Sequence, residues 1–216
     1  MSTFSKLKYA AVVLMFACSH AIADDARSGI YTLRSVPGTQ LDFRKVYLAL
    51  DGIKASGFFD NPFTRPTAND PDADPTCRFF LSGEVTPQGE IRLDTWYPDR
   101  QSGKIETGAP IILKKKGEAW VATVSGDLPN CDAPTIDTGD FLTLKSSRPW
   151  RNFAFVNKSK TFLYSAPDDA ERTKGYLVRF DAVAVLESDH EWLHVDYFRN
   201  DADVVRWVKG LDLTER

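Results

Sequence analysis

The chain has 216 residues, 43% hydrophobic, 12% aromatic and 26% charged, with 13 Gly, 12 Pro and 3 Cys. That is enough apolar material for a packed core, and too little bias for a collagenous, mucin-like or disordered chain. A formal charge of −3 and a pI near 5.7 lack the basic surplus of a dedicated nucleic-acid binder.

Residues 1–23 read as a secretory signal peptide. Lys6 and Lys8 form its positive start, Tyr9 to Ala17 its apolar stretch, and Ala21-Ile22-Ala23 the small-residue cleavage site ahead of Asp24-Asp25. A membrane span needs roughly 20 apolar residues, so the segment is too short for a stable anchor. Cys18 is not read as a lipidation site, because Phe16 is bulky where a lipobox wants a small residue. Cleavage after Ala23 leaves 25 cations against 30 acids, a net charge of −5, in a periplasmic protein.

It also leaves two cysteines, Cys77 and Cys131. In an oxidising compartment such a pair predicts one disulfide. Closing that loop constrains the unfolded chain by roughly 4 kcal/mol on the chain-entropy model. Neither cysteine has a Cys or His nearby at ligand spacing, so no metal site is read there.

Past the signal, no long segment carries a 3.6-residue apolar period. Short runs of aromatic and β-branched residues recur between Gly, Pro, Asn and Asp. They predict strands at Gly29–Ser35, Lys45–Leu50, Ile53–Phe59, Arg78–Val85, Glu90–Tyr97, Pro110–Lys115, Ala119–Ser125 and Asp140–Ser146. Asp51-Gly52 is a strong hairpin signal, and Pro87-Gln88-Gly89 and Lys116-Gly117-Glu118 serve later pairs. Residues 24–150 are therefore expected to form a disulfide-bridged, all-β antiparallel meander of about eight strands, closed as a barrel or folded as a sandwich. Two loops are long, Asn61 to Thr76 and Asp127 to Thr138, with the cysteines in or beside them. The bridge should tie the second loop to the strand that follows the first.

The pattern restarts around Arg148-Pro149-Trp150-Arg151, leaving residues 151–216 as a second small domain. Lys160-Thr161-Phe162-Leu163-Tyr164-Ser165-Ala166-Pro167, Phe180 to Leu186, Glu191 to Val195, and Val205-Arg206-Trp207-Val208 with Leu211-Asp212-Leu213 follow one another in order. In that order and spacing the segment resembles a bacterial SH3-like domain. The resemblance implies a small five-stranded barrel, and many such domains in envelope proteins bind peptidoglycan or peptide segments. It also places Tyr164, Tyr176, Trp192 and Trp207 where the fold exposes rings between its loops, the expected binding residues. Trp192 is out of phase with Leu193, Val195 and Tyr197, so it should point away from their core. Two family glycines are replaced, by Phe180 and Arg206, and no family is read in the first 150 residues.

His190-Glu191-Trp192-Leu193-His194 satisfies the H-E-x-x-H zinc signature. That chemistry needs a helix, where residues four apart rise about 6 Å on one face. On a strand they are roughly 13 Å apart, too far to share a zinc with bonds of about 2 Å. The alternation of Leu193, Val195 and Tyr197 is strand periodicity, so no metal is expected here. Past the signal the only histidines are His190 and His194, and no G-x-S-x-G elbow is present. Asp94 with Glu106 is the carboxylate pair considered for glycosidase-type chemistry. Asp70, Asp72 and Asp74 resemble a calcium loop, but the loop glycine is missing and Leu81 stands at the twelfth position. Lys114-Lys115-Lys116 reads as a solvated hairpin tip.

The sequence is thus read as an exported, non-catalytic binding protein without cofactor, nucleic-acid partner or stable membrane span. Its expected ligand is a peptidoglycan peptide or an envelope protein, held by the SH3-like module. The alternative is an inhibitor or immunity protein that inserts a rigid loop into a wall-degrading hydrolase or a toxin.

Overall fold

The computed structural model describes residues 26–34, 43–61, 77–99, 103–131, 135–199 and 202–216. The expected signal peptide, Cys18, the calcium-like aspartates and all of the first long loop except Asn61 lie outside these residues. Among the described residues, no helix is long and apolar enough to cross a membrane.

The first part of the chain carries β1 (Gly29–Arg34), β2 (Lys45–Asp51), β3 (Lys54–Asn61), β4 (Cys77–Val85), β5 (Ile91–Pro98), β6 (Ile105–Thr107), β7 (Ile111–Lys116), β8 (Ala119–Val124) and β9 (Phe141–Ser147). All pairings are antiparallel and almost all join neighbours in sequence. β9 returns to β1, and β4 pairs with β5, so the sheet closes. β6 and β7 lie end to end along β5, as one strand interrupted at Gly108-Ala109-Pro110. Counted so, this is a closed eight-stranded barrel, which settles the choice between barrel and sandwich. The hairpin at Asp51-Gly52 forms, with Gly52 at the left-handed φ of 62° that its tight turn requires.

The barrel interior is filled by side chains in register. Val46 faces Phe59 and Phe59 faces Phe79, the last two rings stacked at 4.8 Å. Leu81, Leu93, Ile111, Leu113, Ala122, Leu142 and Leu33 continue this buried face around the barrel. At one end, Arg44 and Asp140 form a buried ion pair, Nη1 to Oδ2 at 2.6 Å, and Arg44 also donates to the Thr135 carbonyl. Cys77, opening β4, is bonded to Cys131 in the connection between β8 and β9, with Cα atoms 4.6 Å apart.

The remainder forms a second, curled sheet of seven strands: β10 (Asn152–Val156), β11 (Lys160–Tyr164), β12 (Arg172–Val178), β13 (Ala182–Asp189), β14 (Trp192–Arg199), β15 (Ala202–Lys209) and β16 (Leu213–Glu215). Its order among the described residues is β12-β11-β15-β14-β13-β10-β16; no ladder joins β12 to β16, so in place of the expected closed barrel it is an open half-barrel with those two strands as edges. Ala154, Val156, Leu163, Leu177, Val183, Val195 and Val208 fill its concave core.

The two sheets share one apolar seam. Tyr47, Phe58, Phe80 and Trp96 are side by side on the outer face of β2 to β5. Phe153 and Phe155 of β10 cover them, with Phe155 5.5 Å from Phe80 and 5.4 Å from Trp96. Phe198 stacks on Tyr47 at 4.1 Å, and Trp150 sits edge-on to Phe153. Polar contacts cross the same seam. The Phe153 amide donates to the Ser56 hydroxyl, Arg148 pairs with Asp203 at 2.7 Å, and the Trp150 indole donates to Asp196 at 2.9 Å. Burial pushes the Asp196 carboxyl above the usual carboxylate range, and nearby Asp203 adds to this, while the indole bond and Arg148 oppose it. The restart at residues 148–151 is therefore a joint pinned by the buried Trp150.

Candidate aromatic binding face

The concave core of the second sheet takes every other residue of its strands, which turns the alternate residues to the opposite face. On that face Tyr164, Trp207, His194 and Glu187 are successive register partners across β11, β15, β14 and β13. The His194 ring stacks on Trp207 at 4.5 Å and 9°, and its Nδ1 is 3.0 Å from the Glu187 carboxylate. Trp192 stands edge-on to Tyr164 at 4.7 Å under the Lys209 ammonium, which is tied at 2.7 Å to Asp169. That bond to Asp169 holds Lys209 above its ordinary pKa.

Farther along, Phe162 of β11 faces Tyr176 of β12. Lys160 Nζ lies 3.9 Å from the Tyr176 ring and 4.9 Å from the Phe162 ring, and the Arg172 guanidinium is 4.8 Å over Phe162.

The four expected binding residues share this face, but they are not equally accessible. Tyr176 is 51% exposed and Trp207 half-buried, whereas Tyr164 and Trp192 are only 8% and 6% exposed. Trp192 does lie opposite the Leu193, Val195 and Tyr197 set, which packs on the concave core. It is nevertheless covered, because Tyr164 closes over its edge and Lys209 over its face. Phe162, Lys160 and Arg172 were missed as candidates. Their signal was the alternation Lys160-x-Phe162-x-Tyr164 beside Arg172-x-Lys174-x-Tyr176.

His190 sits in the turn between β13 and β14, at a left-handed φ of 53°, and His194 within β14. They face different carboxylates, His190 toward Asp189 at 2.6 Å and His194 toward Glu187. Among the described residues, no three His, Cys, Asp or Glu side chains converge as a metal site. Asp94 pairs across its ladder with Ser82 and Glu106 with Tyr97, in separate positions on exposed faces. The lysine run is engaged: Lys114 with Glu90 at 2.9 Å, Lys115 over Trp120 and Lys116 over Phe141. What remains is a surface of rings clad with cations, on the sheet face turned away from the concave core. No family model, curated protein or solved structure matches the chain.

Proposed function

We propose that the chain is an exported, non-catalytic binding protein of the bacterial envelope, whose C-terminal half is an SH3-like module that holds a cell-wall peptide or another envelope protein. The observation that carries the reading is the ring-and-cation face of Tyr176, Phe162, Trp207, Lys160 and Arg172, set on a rigid sheet and left open on one side. Rigid rings contribute contact area at little entropy cost, and strands hold them in place. The 3-10 turn (Gly210–Asp212) before the last short strand supports the SH3-like reading, while the seven strands and the open sheet depart from the five-stranded barrel that the resemblance implies. The disulfide supports an oxidising compartment.

The test is retention of the purified protein on washed peptidoglycan, alongside co-purification from envelope extract, for wild type and Tyr176→Ala. Retention or a captured envelope protein, weakened by Tyr176→Ala with the fold intact, supports the reading. Indifference of both to Tyr176 and Trp207 substitutions removes it.

A further inference from the structure

We propose that the free edge of β12 takes up an extended, carboxylate-rich protein segment as an added strand, with that segment's acids on Lys160, Arg172 and Lys174. This rests on the binding reading above and selects an envelope protein over a wall peptide as its ligand.

Among the described residues β12 has a ladder partner only in β11; at its end Val178 is already engaged, its amide donating to the Asp181 carboxylate and its carbonyl accepting from the Asp181 amide, so the edge on offer runs over residues 172–176. Leu177 is buried in the concave core, while Arg172, Lys174, Tyr176 and Val178 turn to the open face and are exposed. Such edges bind peptides by strand addition, with main-chain bonds for affinity and side chains for selection.

Charge then decides the partner. The exposed rings already carry this chain's own cations, so an incoming strand meets positive charge before it meets an aromatic face. Among the described residues, none of Lys160, Arg172 and Lys174 makes an ion pair, although acids are near in sequence. Those acids are used elsewhere: Asp168 caps the Ala170 amide, Asp169 holds Lys209, and Glu171 accepts from the Ser165 hydroxyl. A second copy of β12 is disfavoured, because it would set like charges opposite one another. A wall peptide of mixed chirality cannot continue a regular ladder, because its D-residues need mirror-image backbone angles. A carboxylate-bearing L-peptide satisfies both demands.

The test uses the full exported chain and three short blocked peptides, read by fluorescence anisotropy. One alternates Glu and Val, one alternates Gln and Val, and the third is the Glu peptide with alternate amides N-methylated. The Glu peptide should bind, and its Gln counterpart should be about tenfold weaker, the summed effect of three exposed ion pairs. Raising the salt should erase the difference as the screening length falls to about 3 Å near 1 M. Lys174→Gln and Lys160→Gln should each weaken the Glu peptide about twofold with an unchanged melting temperature, and N-methylation should abolish binding. Equal affinity for the Glu and Gln peptides overturns the charge selection. Undiminished binding of the N-methylated peptide overturns strand addition. If no peptide binds while peptidoglycan retention persists, the inference fails and the broader binding reading stands. If retention is absent too and no envelope protein is captured, both fail.

Discussion

The two halves are built from the same material, short antiparallel strands with apolar residues at every other position, and end differently. In the first, β9 returns to β1 and the ladder has no ends. Its outward rings on β2 to β5 are also consumed, pressed against Phe153 and Phe155. The second sheet stops at β12 and β16, and the outer part of its non-core face keeps Tyr176 exposed. A closed sheet spends its surface on stability, whereas an open one retains backbone and rings for a partner. On the binding reading proposed above, the barrel is the support and the open sheet the working surface.

If the seam makes one folding unit of the halves, breaking it should have the largest effect. Trp150→Ala removes a fully buried ring and takes from Asp196 its indole donor, so a loss of about 5 kcal/mol is expected. Urea unfolding should then separate into two transitions, the open sheet melting first; a single transition with a loss below about 1 kcal/mol would refute the shared seam. The barrel has its own fastening. Replacing Cys77 and Cys131 by Ser frees a loop with a sequence separation of 54 and should cost about 4 kcal/mol. In the Trp150→Ala background, only the high-stability barrel transition should move. Within the open sheet, Trp192→Ala should cost about 3 kcal/mol, because its ring packs between Tyr164 and Lys209. Any binding defect in that variant must therefore be read against its melting curve.

The seam also has a pH dependence of definite sign. The Asp196 carboxyl titrates higher in the folded chain than in the unfolded one, chiefly through burial. Between those two values the native state holds the extra proton, so this group's contribution to stability falls as pH rises through the window. Below the unfolded value the contribution is fully present, and above the folded value it is lost. Asp196→Asn should flatten the slope that wild type shows on the acid side of neutrality. An unchanged slope, measured as denaturant midpoint against pH, would locate the titration elsewhere. The effect is smaller than removal of Trp150, because the indole bond partly offsets the burial.

Local sequence carries much of this architecture. All eight strands read from residues 29–146 are present with ends displaced by at most two positions, because Asp51-Gly52, Gly89 and Gly117 mark real turns. Only β6, three exposed residues long, had no pattern to find. Closure of the barrel was not legible, since the pairing of β1 with β9 joins residues over a hundred positions apart and leaves no local signal. The seam did leave one. Phe58-Phe59 and Phe79-Phe80 are ring doublets on adjacent strands, and a strand with consecutive large apolar residues has both faces covered. At the candidate site, alternation placed Trp192 on the correct face. Its accessibility depended on Lys209 and Tyr164, which reach it from other strands.

The smallest change in stability belongs to the residue on which the binding reading most depends. Tyr176 is half exposed on an edge strand and touches Phe162 and Lys160 at the surface, so Tyr176→Ala should shift stability by less than about 0.5 kcal/mol. Binding should respond differently. Truncation removes the flat area beside the β12 edge and lets the Lys160 ammonium lose its position over the ring, which weakens both the apolar and the charged part of the contact. Tyr176→Phe keeps the ring and the cation above it, and so should retain most of the affinity. That pair of variants separates surface from scaffold, because Ala and Phe should melt together and bind apart. Should they bind alike, the ring is only a cover for the sheet edge, and the open half would have lost the property that sets it apart from the barrel.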